Sequence, residues 1–201
     1  MRDELDLPVD LPAPDEDARA AVARRAAEVL RPAGAFARLD EVAAWLAGWQ
    51  RTHRPAVRRP ALVVFVADHG VAAEGVSAYP SAVTGAMLDA LRRGIATATV
   101  LARDAGASVS VVDVGVGRPT GNIVTAPAMD PARFGACFEE GRAAVRGLDA
   151  DLLVLGEMGI GNTTPAAAVA AALFGRAPED WTGRGTGIDD ATLGHKAAVV
   201  A

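Results

Sequence analysis

A chain of 201 residues can bury one sizeable core, or a core with a small appendage, and is too short for several full domains. Half of it is apolar but only 4% is aromatic, and alanine abounds, which favours close-packed helices with some sheet over an aromatic-rich β sandwich. A net charge of −5, with Arg interspersed among Asp and Glu, leaves no basic face for nucleic acid; one cysteine excludes an intrachain disulfide, and no apolar run reaches the ~20 residues of a membrane span.

Residues 1–14 are acidic and punctuated by proline, as an extended segment would be. The acidic opening is no export signal, and with the single Cys137 it points to the cytoplasm. A helical region is expected over residues 15–58. Its first helix, residues 15–30, carries Ala18, Val22, Ala26 and Val29-Leu30 on one face; its second, residues 40–50, carries Val42, Trp45, Leu46 and Trp49 at helical spacing. The tryptophans read as helix-packing residues. The basic stretch from Arg51 to Arg59 reads as a solvated linker.

From residue 59 to 201 the pattern becomes α/β. Residues 61–67 are continuously apolar and β-branched, as in a strand buried on both faces. Helices are expected over residues 80–91, stopping at Gly94, and 95–105, closed by Gly106; a second strand spans residues 108–112. Asp130-Pro131 has the form of an N-cap followed by proline at the first helical position, opening a helix to about Arg146. A third buried strand follows at residues 152–155, then helices over residues 165–173 and 189–201. Such alternation predicts a parallel, doubly wound, Rossmann-like sheet with helices on both faces.

Ligands of open parallel sheets bind beyond the carboxyl ends of the strands. Three polar, glycine-containing segments are expected there, sharing one cleft: Asp68-His69-Gly70, Asp113 to Gly117, and Gly156-Glu157-Met158-Gly159-Ile160-Gly161-Asn162-Thr163-Thr164. The last combines glycines that admit a close anion with side-chain donors at a helix N-terminus, a phosphate cradle unless it is merely a strand-to-helix turn. It is no Walker A loop, for Asn162 follows Gly161, and Thr120 stands where a dinucleotide fingerprint needs its third glycine after Gly117. Asp68-His69 reads as a hydrogen-bonded structural pair and not as metal ligands. A second glycine-rich stretch, residues 183–190, precedes Lys196, which lies two helical turns beyond Gly187-Ile188 and can reach back to a phosphate.

Three ordered runs resemble the nicotinate-nucleotide:dimethylbenzimidazole phosphoribosyltransferase family: Asp68-His69-Gly70-Val71-Ala72-Ala73-Glu74-Gly75-Val76-Ser77-Ala78-Tyr79-Pro80 with Val83-Thr84, then Gly156 to Thr164, then Gly183 to Asp190 with Lys196. The resemblance implies transfer of the phosphoribosyl group of nicotinate mononucleotide to 5,6-dimethylbenzimidazole, releasing nicotinate and giving α-ribazole 5′-phosphate for the lower ligand of cobalamin. It implies no metal and no cofactor, and a homodimer. Gly159, Ile160, Gly161, Asn162 and Thr163 would surround phosphate and ribose, with Gly187, Asp189 and Lys196. Glu157 would stand at the reacting centre, and Ser77, Tyr79 and Pro80 would wall the benzimidazole slot. Gly85-Ala86-Met87 stands where family members carry a glutamine. The family's general-base glutamate is expected past Ala201, so the sequence reads as the N-terminal portion of such an enzyme, incomplete at its C-terminus, whose N-terminal helices are completed by a downstream part. Two alternatives are a non-catalytic nucleotide-binding fragment lacking the base, and a different glycosyl-transfer enzyme with Glu157 as its sole carboxylate.

Overall fold

The computed structural model describes residues 12–32 and 34–201. The expected extended segment therefore lies, for residues 1–11, outside the described residues. The chain falls into two compact units, residues 1–58 and 59–201.

The first unit is a pair of helices, α1 (Glu16–Glu28) and α2 (Ala37–Gln50). Asp15 caps α1, its carboxylate accepting from the Ala18 N–H at 2.9 Å. Small residues make the contact. Ala47 is fully buried, Ala18 nearly so, and a Cβ added at Gly48 would lie 2.8 Å from the Arg19 side chain. An Arg31–Asp40 ion pair ties the connection to α2. Trp45 and Trp49, expected to pack the helices, are instead about half exposed, because alanine and glycine bring the backbones too close to seat an indole between them.

The second unit is built on β1 (Pro60–Ala67), flanked by β2 (Ser108–Gly115) and β3 (Leu152–Met158) in the order β2-β1-β3, all parallel. Around the sheet lie α3 (Ala82–Arg92), α4 (Thr97–Asp104), α5 (Pro131–Val145), α6 (Thr163–Phe174), the single turn α7 (Pro178–Trp181) and α8 (Asp190–Val200). Asp130 caps α5 with proline at its first turn, as its sequence predicts. The turn α7 was not expected; Pro178 starts it and Trp181 stacks on Phe174 with ring centroids 5.4 Å apart.

Period-two alternation divides the apolar run of β1 between two faces. Leu62, Val64 and Val66 pack against Leu88 and Leu91 of α3 and Ala96 and Ala102 beside and within α4. On the opposite face Phe65, Val114 and Leu155 line an apolar groove with Cys137, Phe138 and Val145 of α5. This is an α/β sheet with helices on both faces. The strand expected to be buried third is the exception. Among the described residues β3 is an edge strand paired with β1 alone, and Leu153, Val154 and Leu155 are 40%, 47% and 63% exposed. Strands β2 and β3 also run further than their apolar cores suggest, so that Asp113 and Glu157 lie in strands and not in the loops that follow. Among the described residues no helix is long and apolar enough to cross a membrane.

The contrast between centre and edge is measurable. Val66→Ala, at a site with no exposure, should cost about 2–3 kcal/mol in denaturant unfolding, whereas Val154→Ala should cost less than about 1 kcal/mol. Equal losses would contradict β1 as the sheet's buried axis.

Candidate functional site

Beyond the carboxyl ends of β1 and β3, three segments meet around a cavity of about 200 Å³. Val76 and Ser77 come from the segment after β1; Glu157 to Thr163 come from the end of β3 and its loop; Gly185 and Thr186 come from the turn before α8, with Lys196 reaching in from α8.

The loop after β3 is shaped by contact. A Cβ at Gly159 would lie 2.4 Å from the Ala67 carbonyl oxygen and 2.9 Å from the His69 ring, so only glycine lets β3 turn here against the end of β1. Gly161 adopts φ +82°, and its carbonyl accepts from the Thr164 N–H at 2.9 Å as α6 begins. The Ile160 N–H donates to Thr84 Oγ1 at 3.1 Å, a bond buried between α3 and the loop. Helix α6 starts at Thr163, two residues earlier than Pro165 suggests, since a proline in the first turn removes no intrahelical bond. Its positive dipole end adjoins the cavity.

Lys196 is 1% exposed. Asp189 caps α8 by accepting from the Thr192 N–H at 2.8 Å, which sets the phase that turns Lys196 inward. Its Nζ donates to Thr163 Oγ1 at 2.7 Å and to the Gly183 carbonyl at 3.0 Å, and among the described residues it forms no ion pair. Burial lowers its pKa from the usual 10.5. Two of its three N–H donors are used, leaving one for a ligand. A buried cation beside a helix N-terminus is a site that calls for an anion.

Glu157 lines the same cavity as a strand residue, and desolvation raises its pKa above the ordinary carboxylate value. Ser77 lines it too, hydrogen-bonded through Oγ to Thr186 Oγ1 at 3.1 Å. Tyr79 and Pro80 are exposed and do not line it. Nor do Gly187, whose φ of +88° shapes the turn, or Asp189, which serves as the helix cap; hydrogen bonding with Thr192 and, less, the charge of Arg184 hold its pKa low. Thus Gly159, Ile160, Gly161, Asn162, Thr163, Glu157, Ser77 and Lys196 come together, and the other four candidates stand outside. Val76, Met158, Gly185 and Thr186 join them without having been singled out. The apolar pair carries no signal beyond its neighbours, and Thr186 is visible only as a turn residue.

Of the three strand-end loops expected to share the cleft, two line it together with the turn before α8, and the third buttresses them. The segment after β2 does not line the cavity; its Gly117 N–H donates to Asp68 Oδ2 at 2.8 Å, and its Thr120 Oγ1 accepts from the Gly70 N–H at 3.3 Å. Asp68 is held by backbone through Oδ2, its Oδ1 being buried without a hydrogen-bond partner among the described residues, and the His69 ring packs over Gly159. Burial lowers the His69 pKa, outweighing the opposing charge of Asp68, which favours the neutral ring. On the far side His195 Nε2 meets the Glu74 carbonyl at 2.7 Å, fastening α8 to the segment after β1.

Gly159→Ala should therefore destabilise by about 2–3 kcal/mol, while Gly183→Ala, with nothing within 4 Å of the added methyl, should change stability by no more than about 0.5 kcal/mol. Chemical denaturation of both variants checks the difference; a silent Gly159→Ala would contradict the loop's seating.

Comparison with known proteins shows the family. A family model described as phosphoribosyltransferase matches residues 11–201. The nicotinate-nucleotide–dimethylbenzimidazole phosphoribosyltransferase of Ruegeria pomeroyi is 50% identical over 190 residues, covering 94% of this chain and 56% of its own length. Its counterpart from Mesorhizobium japonicum is 48% identical over 192 residues, covering 96% and 57%. The crystal structure of CobT from Thermus thermophilus superposes with a TM-score of 0.83 at 40% identity, over 92% of this chain and 61% of that one. The chain spans a little over half the length of the curated relatives it matches. It belongs to this phosphoribosyltransferase family, whose named relatives are the nicotinate-nucleotide–dimethylbenzimidazole phosphoribosyltransferases.

Proposed function

We propose that the protein containing this chain transfers the 5-phosphoribosyl group of nicotinate mononucleotide to 5,6-dimethylbenzimidazole, giving α-ribazole 5′-phosphate and nicotinate in cobalamin nucleotide-loop assembly. The observation that carries this reading is the buried Lys196 ammonium, hydrogen-bonded to Thr163 at the start of α6 in a cavity floored by Gly159, Ile160, Gly161 and Asn162. A phosphate monoester is the anion that fits a point charge, a helix N-terminus and a glycine-lined wall together.

The chemistry asks little beyond placement. The pyridinium of the mononucleotide is already an activated leaving group: its bond to the anomeric carbon breaks with the electron pair going to the ring nitrogen. A benzimidazole nitrogen forms the new bond from the opposite face, inverting the centre, and the acceptor's N–H proton passes to a carboxylate. Phosphate contacts at Lys196 and Thr163 hold the ribose, and Glu157 supports the positive charge that develops on it. A partly desolvated carboxylate serves that purpose well, because its field is weakly screened. Ser77 provides a polar point on the acceptor side, with Tyr79 and Pro80 as its outer wall. Gly187 and Asp189 act indirectly here, shaping the turn and capping the helix that deliver Lys196. The general base is left to a glutamate that the resemblance places past Ala201. A homodimer in the cytoplasm completes the reading; the exposed Val169, Leu173 and Phe174 of α6 are in keeping with a covered surface, and the single cysteine with a reducing compartment. A non-catalytic nucleotide-binding fragment would keep the phosphate subsite and lack the transfer.

Isothermal titration with nicotinate mononucleotide tests the carrying observation. Lys196→Ala removes a charge-assisted donor worth about 1.5–3 kcal/mol and should weaken binding ~10–100-fold; an unchanged Kd would remove Lys196 from the phosphate site. The pH dependence has a definite sign. Binding should weaken as pH rises through the lowered pKa of Lys196, below the 10.5 of a free lysine. Stability of the empty protein should rise over the same interval, because the unfolded chain still holds the proton that the folded state has shed. Affinity that stays level to pH 10.5 would contradict an ammonium at the anion.

A further inference from the structure

The hydroxyl of Thr186 belongs to neither end of the proposed reaction, yet it touches the segments that make both. It accepts from the Ala78 N–H at 2.9 Å and shares a hydrogen bond with Ser77 Oγ at 3.1 Å, across 109 residues of chain. The same turn meets the phosphate subsite. The Gly183 carbonyl accepts from Lys196 Nζ at 3.0 Å, and a Cβ at Gly185 would lie 3.3 Å from that Nζ and 3.2 Å from Thr163 Oγ1. Arg184 stiffens the turn between them, donating to the Ile188 carbonyl at 2.9 Å and pairing with Asp190. Residues 183–187 therefore form a braced unit with the ammonium at one end and the Ser77 segment at the other. Thr186 and Ser77 both line the cavity, so the contact is part of its wall.

We propose that Thr186 is a positioning residue that couples the two ends of the cavity. An anion seated beside Lys196 orders the turn, and the Thr186 hydroxyl passes that order to Ser77 and Ala78, against which the acceptor base lies. The proposal rests on the phosphate and acceptor assignments above. The hydroxyl chemistry suits the task. Thr186 Oγ1 accepts from the Ala78 N–H, either hydroxyl can donate in its bond to Ser77, and Ser77 Oγ also accepts from the Tyr79 N–H at 3.3 Å. Coupling of this kind is reciprocal: the base must tighten the mononucleotide by the factor that the mononucleotide tightens the base.

The test is amide hydrogen exchange at Ala78, followed by NMR on the 201-residue chain with and without nicotinate mononucleotide, in wild type, Thr186→Val and Thr186→Ser. Thr186 is exposed, so neither substitution threatens folding. The mononucleotide should shift the Gly161 and Thr163 amides in all three proteins. It should slow Ala78 exchange about fivefold or more in wild type and Thr186→Ser, and less than about twofold in Thr186→Val. A hydroxyl with a merely structural role would change Ala78 exchange in the empty protein and leave the response to mononucleotide intact. Shifts at Gly161 and Thr163 without slowing at Ala78 in wild type, or equal slowing in Thr186→Val, would overturn the coupling alone. Absence of shifts at Gly161 and Thr163 would overturn the phosphate subsite, and the coupling with it.

Discussion

The burial of one ammonium organises the site. Lys196 has lost its water and gained a threonine hydroxyl and a carbonyl, neither of which carries a full negative charge. Burying a cation under those terms is unfavourable by several kcal/mol unless something compensates, and burial has lowered its pKa accordingly. In the proposed reading a ligand's phosphate brings the compensation. This one constraint explains why the turn 183–187 folds over Nζ, why α8 is capped at Asp189 in the phase that sends Lys196 inward, and why α6 opens at Thr163.

Rigidity behind the cavity comes from packing between loops. Gly159 leaves room for the end of β1 and the His69 ring, Asp68 is held by the Gly117 amide, and Thr84 anchors Ile160 from α3. Each is a short contact between segments distant in sequence. Their common effect is to fix the backbone N–H groups after β3 before any ligand arrives, so little ordering is left to oppose binding. The loop after β2 contributes here as support, one layer removed from the chemistry.

Much of this was legible in the sequence. The apolar run of residues 61–67, the Asp130-Pro131 cap and the strand-helix alternation all led to a parallel α/β sheet, and the comparisons show the family that the glycine-rich runs resembled. The reading failed where tertiary context decides. Leu153, Val154 and Leu155 look like a core strand, but apolar composition does not say whether a strand has one neighbour or two. Trp45 and Trp49 have the spacing of packing residues, yet Ala47 and Gly48 take the contact, since close approach rewards small side chains. Around the site, Gly159 to Thr163 and Lys196 were visible from residue type and spacing. Thr186 was not, because its importance lies in a partner 109 residues away and no local pattern records that.

The central claim is that Lys196 and the start of α6 together receive the phosphate of nicotinate mononucleotide. A crystal structure of the protein with that mononucleotide tests it most directly. The account predicts a phosphate oxygen ~2.8 Å from Lys196 Nζ, with further oxygens on the backbone N–H groups near Gly161 and Thr163. A mononucleotide whose phosphate lies away from Lys196, with the ammonium's present bonds undisturbed and the cavity filled by something else, would contradict it.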